Sequence, residues 1–87
     1  MYKVLVSETF QKQYSKFDKK FQKRIKDSLN YLKSDPSAPR PGADIIQIKD
    51  TRPPKYRIRI GDYRIVYMVE GKAVKVIEIF PRGRGYR

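Results

Sequence analysis

Between Lys55 and Tyr67 three arginines recur at Arg57, Arg59 and Arg64, and a second group, Arg82, Arg84 and Arg87, surrounds Tyr86 near the C-terminal end. Guanidinium groups fork toward phosphate oxygens in a way that a lysine ammonium does not, so arginines gathered in one place are suited to gripping a phosphodiester. A tyrosine ring among them offers a surface on which an unpaired base can stack. The chain contains no cysteine and no histidine, which removes thiolate and imidazole metal sites, a cysteine nucleophile and every mechanism that needs a histidine proton. Its 21 Lys and Arg against 9 Asp and Glu leave a formal charge of +12 over 87 residues, the balance of a protein whose partner is a polyanion. Asp62, Glu70 and Glu78 are spread over turns and strands without a histidine or a paired carboxylate to complete a site. No metal and no small-molecule cofactor is therefore expected.

A sheet must position these arginines. Residues 55–60, 63–69 and 73–80 alternate in strand fashion, joined by Gly61-Asp62 and by Glu70-Gly71-Lys72, and both connections suit tight hairpins in which glycine supplies a positive φ. A two-residue turn at Gly61-Asp62 sets Ile60 opposite Tyr63, Arg59 opposite Arg64, Ile58 opposite Ile65 and Arg57 opposite Val66. Ile58, Ile60, Ile65 and Tyr67 then face a core together with Tyr56 and Tyr63, while Arg57, Arg59 and Arg64 face away. Two arginines directly opposite one another destabilise a hairpin by a few tenths of a kcal/mol up to about 1 kcal/mol, unless an anion offsets the repulsion.

The N-terminal part supplies the layer for that core. Residues 2–6 read as a short strand, and Ser7 stands where a helix N-cap would. Phe10, Tyr14, Phe17, Phe21, Ile25, Leu29 and Leu32 then recur at helical spacing, with Asp18 as an internal cap, which predicts helices over about residues 8–17 and 19–33. The opposite helical face carries Lys12, Lys16, Lys20, Lys23, Arg24 and Lys26. Pro36, Pro39 and Pro41 make residues 34–42 an extended linker, residues 45–49 read as a brief strand or a turn, and Pro53-Pro54 interrupt the chain again. The expected fold is α+β: an N-terminal strand, a helical hairpin and an antiparallel β-meander, in an antiparallel sheet with the helices on one face and residues 1–87 as a single domain. A chain of this length buries roughly 60–65% of the surface that its unfolded form exposes, enough for one core. A hydrophobic content of 39% with 13% aromatic residues argues against disorder. Apolar runs of only a few residues fit neither a signal peptide nor a membrane span, so a cytoplasmic protein without a membrane partner is expected.

The string Tyr56-Arg57-Ile58-Arg59-Ile60-Gly61-Asp62-Tyr63-Arg64-Ile65-Val66-Tyr67 resembles the "YRIRVGDYRVIY" signature of the RelE/ParE superfamily, the toxins of type II toxin–antitoxin modules. Pro81-Arg82-Gly83-Arg84-Gly85-Tyr86 is similar to the "HRxxxY" ending of that family, so the resemblance covers nearly the whole chain. It implies a toxin of the RelE-like branch, a ribosome-dependent endoribonuclease that cuts mRNA in the ribosomal A site, without a metal, by attack of the 2′-hydroxyl on the scissile phosphate. Arg57 and Arg59 would be the basic pair along the sheet, Arg64 the arginine that grips the scissile phosphate, Arg82 the arginine after the last strand, and Tyr86 the residue that stacks on a base or assists proton transfer. Lys55, Arg84 and Arg87 would add RNA contacts. Many members carry histidine before the last arginine; here that position is Pro81, which leaves Lys, Arg and Tyr for the chemistry. The partners implied are the ribosome with its A-site mRNA and a cognate antitoxin whose acidic, partly disordered segment a basic surface attracts. ParE-type members poison DNA gyrase instead, and a silent RNA-binding homologue is the third alternative.

Overall fold

In the computed structural model, which describes residues 1–37, 44–48, 51–81 and 83, each helix starts where a side chain takes over a free backbone amide. Ser7 Oγ accepts a hydrogen bond from Phe10 N at 3.0 Å and opens α1 (Glu8–Ser15). Asp18 Oδ1 does the same for Phe21 N at 2.8 Å and opens α2 (Lys19–Leu32). Both caps stand where the sequence puts them. The linker residues Pro39 and Pro41, and Lys49, lie outside the described residues.

The strands β1 (Lys3–Val6), β2 (Asp44–Ile48), β3 (Lys55–Ile60), β4 (Tyr63–Glu70) and β5 (Ala73–Pro81) form one sheet in the order β1-β5-β4-β3-β2. Residues 44–48 are thus a strand rather than a turn. Thr51 secures their connection to β3: its hydroxyl donates to Ile48 O at 3.2 Å and accepts from Lys55 N at 2.9 Å. Strands β2 to β5 pair antiparallel, as a meander requires, whereas β1 joins β5 in parallel with Lys3 beside Ala73 and Val6 beside Val76. The sheet is therefore mixed, not wholly antiparallel. A tight hairpin forces antiparallel pairing, and no hairpin links β1 to β5; the helices and three strands that separate them in sequence leave their relative direction free.

One extra residue sits in β5 where the register shifts: Val66 pairs with Glu78 but Tyr67 with Val76. This bulge lets Val76 and Ile79, three residues apart, both enter the core. α1 satisfies the backbone that the bulge leaves over. Ser7 Oγ donates to Ile77 O at 2.5 Å, and Ile79 N donates to Gln13 Oε1 at 2.8 Å.

The core lies between the helices and one sheet face. Phe10, Ile25 and Leu32 meet Ile58, Ile65 and Tyr67, with Phe17, Phe21, Leu29 and Tyr63 packed around them. Tyr67 stacks on Tyr56 with centroids 5.7 Å apart, and its buried hydroxyl donates to Pro36 O at 2.5 Å. Burial pushes the Tyr67 phenol well above its ordinary range, and the neighbouring Tyr56, Tyr31 and Asp35 push the same way. Among the described residues no helix is long and apolar enough to cross a membrane.

Candidate functional site

Gly61 turns the chain with a φ of 55°, and the pairing that follows matches the two-residue loop: Ile60 with Tyr63, Arg59 with Arg64, Ile58 with Ile65, Arg57 with Val66. Alternation does the rest. Tyr63 points inward and closes a ring cluster with Phe17 and Phe21, at centroid separations of 5.0 and 5.3 Å, which pins the start of β4 to the helices. Its neighbour Arg64 consequently points away from them.

On that outer face the side chains form rows across the strands. The row nearest the β3–β4 turn runs Asp44, Arg59, Arg64, Phe80, and the next runs Ile46, Arg57, Val66, Glu78. Side chains directly opposite in such rows stand about 4.5–5.5 Å apart, and rows on one face lie roughly 7 Å apart. A third row, Ile48, Lys55, Met68, Lys75, puts Lys55 on the same face. Arg57, Arg59 and Arg64 line a cleft of about 90 Å³ with Asp44 and Ile46 as its β2 wall. Val66 and Phe80 belong to this face and are nonetheless buried, at 0% and 2% exposed.

The cleft sets three guanidinium groups against the one carboxylate of Asp44. Ion pairs among the described residues are Lys12–Glu8, Lys23–Asp27 and Lys75–Glu70, all made by lysines, and none reaches Arg57, Arg59 or Arg64. Arg59 donates from Nε to Gly61 O at 3.4 Å, a weak contact that lays its side chain along the turn. From the other side of the same turn comes Arg24, its guanidinium 5.5 Å from the Phe21 ring centroid and 3.3 Å from where a Gly61 Cβ would be. Basic groups therefore continue from the sheet face around the turn onto α2. Three guanidinium groups that make no ion pair among the described residues can hold a phosphate through several charge-assisted hydrogen bonds.

Of the residues singled out from sequence, Arg57, Arg59 and Arg64 come together in the cleft and Lys55 lies on its face one row beyond. Arg82, Arg84, Tyr86 and Arg87 lie outside the described residues. Sequence reasoning missed Asp44 and Ile46, and it put Arg24 on the basic helical face without its place at the β3–β4 turn. The signal for the first two was the alternation of Asp44, Ile46 and Ile48 against the buried Ile45, which becomes informative only once β2 is paired with β3. A second concavity, apolar and about 370 Å³, lies between β1 and the helices, lined by Val6, Phe10, Gln11, Tyr14, Lys26 and Leu29.

The site is a cleft of three arginines on the face of a small α+β sheet, basic in a chain that is basic throughout. The comparisons with known proteins are more specific. Residues 4–86 match the family model for the ParE toxin of the type II toxin–antitoxin system parDE, and the chain belongs to this family. A chain of the archaeal RelE–RelB complex from Pyrococcus horikoshii superposes with a TM-score of 0.84 at 31% identity, covering 97% of this chain and 98% of that one. One from the RelB–RelE antitoxin–toxin complex of Methanococcus jannaschii gives a TM-score of 0.74 at 29% identity, over 91% of each chain. The isolated RelE toxin of E. coli, at 20% identity, shares the fold with a TM-score of 0.77, over 98% of this chain and 88% of its own. No curated protein matches the chain.

Proposed function

We propose that this protein is the toxin of a type II toxin–antitoxin module and acts in the cytoplasm as a ribosome-dependent mRNA endoribonuclease. The observation that carries the reading is the cleft of Arg57, Arg59 and Arg64, built on a hairpin that would be more stable without an Arg59–Arg64 pair. A protein that only packs against another has no need of three guanidinium groups converging on one anion-sized space. The 31% identity to a chain of an archaeal RelE–RelB complex supports the RelE-like reading.

Cleavage by the 2′-hydroxyl requires that oxygen in line with phosphorus, compensation for charge on the five-coordinate phosphorus, and a proton for the departing 5′-oxygen. Arg59 and Arg64 meet the second requirement directly, with Arg57 one row away. Arg82 and Tyr86 would act from the chain end, as the resemblance implies. The ribosome supplies alignment: fixing a reactive geometry alone accounts for roughly 7–11 kcal/mol of a barrier, which explains why free mRNA would be a poor substrate. An antitoxin with an acidic segment and an apolar helix face suits the rest of the surface, since the groove of Val6, Phe10, Tyr14 and Leu29 is apolar and has Lys26 on its wall.

The test is primer extension on a reporter mRNA in a purified translation system, with wild type and Arg82→Ala, with and without ribosomes. Discrete cuts within codons that need both ribosomes and Arg82 are expected. The family model's own name, ParE, favours a second reading, inhibition of DNA gyrase without chemistry. Folded, antitoxin-free protein that makes no cuts but blocks supercoiling by gyrase would establish that reading, and failure in both assays would leave a silent RNA-binding homologue.

A further inference from the structure

We infer that the Asp44 carboxylate is the proton acceptor for the 2′-hydroxyl in the arginine cleft, an inference that rests on the endoribonuclease reading above. Three arginines can hold a phosphodiester, but a guanidinium is a donor only and takes no proton from an attacking hydroxyl. Asp44 supplies what they lack. It stands opposite Arg59 across β2 and β3, Arg59 stands opposite Arg64, and all three line the same cleft.

The row itself selects this residue. A phosphate held between Arg59 and Arg64 puts the adjoining ribose about one strand spacing, ~4.8 Å, toward either end of the row. Toward β5 the row ends in Phe80, which is 2% exposed and has no acceptor atom on its side chain. Toward β2 it ends in exposed Asp44, followed on the same strand face by Ile46, whose 49% exposure gives the ribose an apolar wall. Asp44 makes no ion pair among the described residues, so its oxygens are open to a hydroxyl. Glu78, the other acid in these two rows, is half-buried beside Val66 and already engaged.

In the step, Asp44 takes the proton of the 2′-hydroxyl as the 2′-oxygen bonds to phosphorus. The bond from phosphorus to the 5′-oxygen breaks, its electron pair leaves on that oxygen, and the oxygen takes a proton from water. The products are a 2′,3′-cyclic phosphate and a 5′-hydroxyl, and Asp44 returns its proton to solvent.

Single-turnover cleavage of a reporter mRNA on purified ribosomes, with ribosome binding measured separately, tests the assignment on the full chain. Asp44→Asn is expected to cut about 10²- to 10⁴-fold more slowly while binding as tightly as wild type or more so, because a negative charge has left a basic cleft. Asp44→Glu, which keeps an acceptor, is expected to retain more of the rate than Asp44→Asn. A residue that merely balances charge behaves in the opposite way: Asp44→Asn would cut as fast as wild type or faster, and that result overturns the assignment. Equal losses in the Asn and Glu variants, or a loss explained by weaker binding, overturn it as well. A wild-type chain that makes no cuts removes the endoribonuclease reading itself, an outcome plainly different from an active Asp44→Asn.

Discussion

On the helix side of the β3–β4 hairpin, Ile58, Ile65 and Tyr67 are at most 1% exposed, while on the other side Arg57, Arg59 and Arg64 stand in an open cleft with no carboxylate bound to them among the described residues. Alternate residues of one short sequence build both faces. The inner face does the work of folding: it removes apolar surface from water, encloses a hydroxyl that finds its acceptor, and meets the caps and rings of two helices. On the outer face Val66 is buried as well, but the arginines beside it contribute little to folding and oppose it where two guanidinium groups face each other. Charge held against the interest of the fold points to a ligand of the opposite sign.

Breaking the inner face should have the largest effect on stability. Ile65→Ala, at a fully buried position, is expected to lower the unfolding free energy by about 2–5 kcal/mol in urea titrations, a large part of what a domain of this size possesses. On the outer face the same kind of truncation should leave stability alone and remove function. Arg64→Ala is expected to reduce single-turnover mRNA cleavage by about 10²- to 10³-fold, the effect of losing one group that stabilises developing charge, with an unfolding free energy no lower than wild type.

Tyr67→Phe sharpens the contrast with a single atom. It strands Pro36 O without its donor and should cost about 1–3 kcal/mol by urea denaturation at neutral pH. The phenol also gives stability a pH dependence of known sign. Its ordinary value is 10.0 and folding raises it, so above about pH 10 the unfolded chain loses this proton first and binds fewer protons than the native state. The contribution is complete below that pH and falls by up to about 1.4 kcal/mol per pH unit above it. Urea titrations at pH 9 to 11 should show this extra loss in wild type relative to Tyr67→Phe, and parallel curves would contradict it. The smallest effect is expected at Arg59→Thr, which removes the facing charge. It should raise stability by up to about 1 kcal/mol at low salt, and the gain should shrink as salt screens the wild-type repulsion.

Much of the hairpin was legible in the sequence because its determinants are local. Gly61-Asp62 fixes the register, and the register fixes which side of the sheet each arginine takes. Ser7 and Asp18 marked the helix starts for the same reason, since a cap acts on an amide three residues away. What escaped was long-range. The direction of β1 against β5 is set by no turn, and the shift between Val66 and Tyr67 is visible only in the pairing with β5. Asp44 joins the cleft through the pairing of β2 with β3, across a connection where prolines weaken any strand pattern. The family resemblance pointed to arginines and a tyrosine, and it gave no reason to look at a carboxylate on β2.

The central claim is that the open arginine face does the chemistry while the opposite face holds the fold. Primer extension on translating ribosomes with Arg64→Ala, alongside thermal melting of the same preparation, tests both halves together. The account predicts a melting temperature at or above that of wild type and cuts within codons that form about 10²- to 10³-fold more slowly. Cuts that persist in Arg64→Ala at the wild-type rate would contradict it.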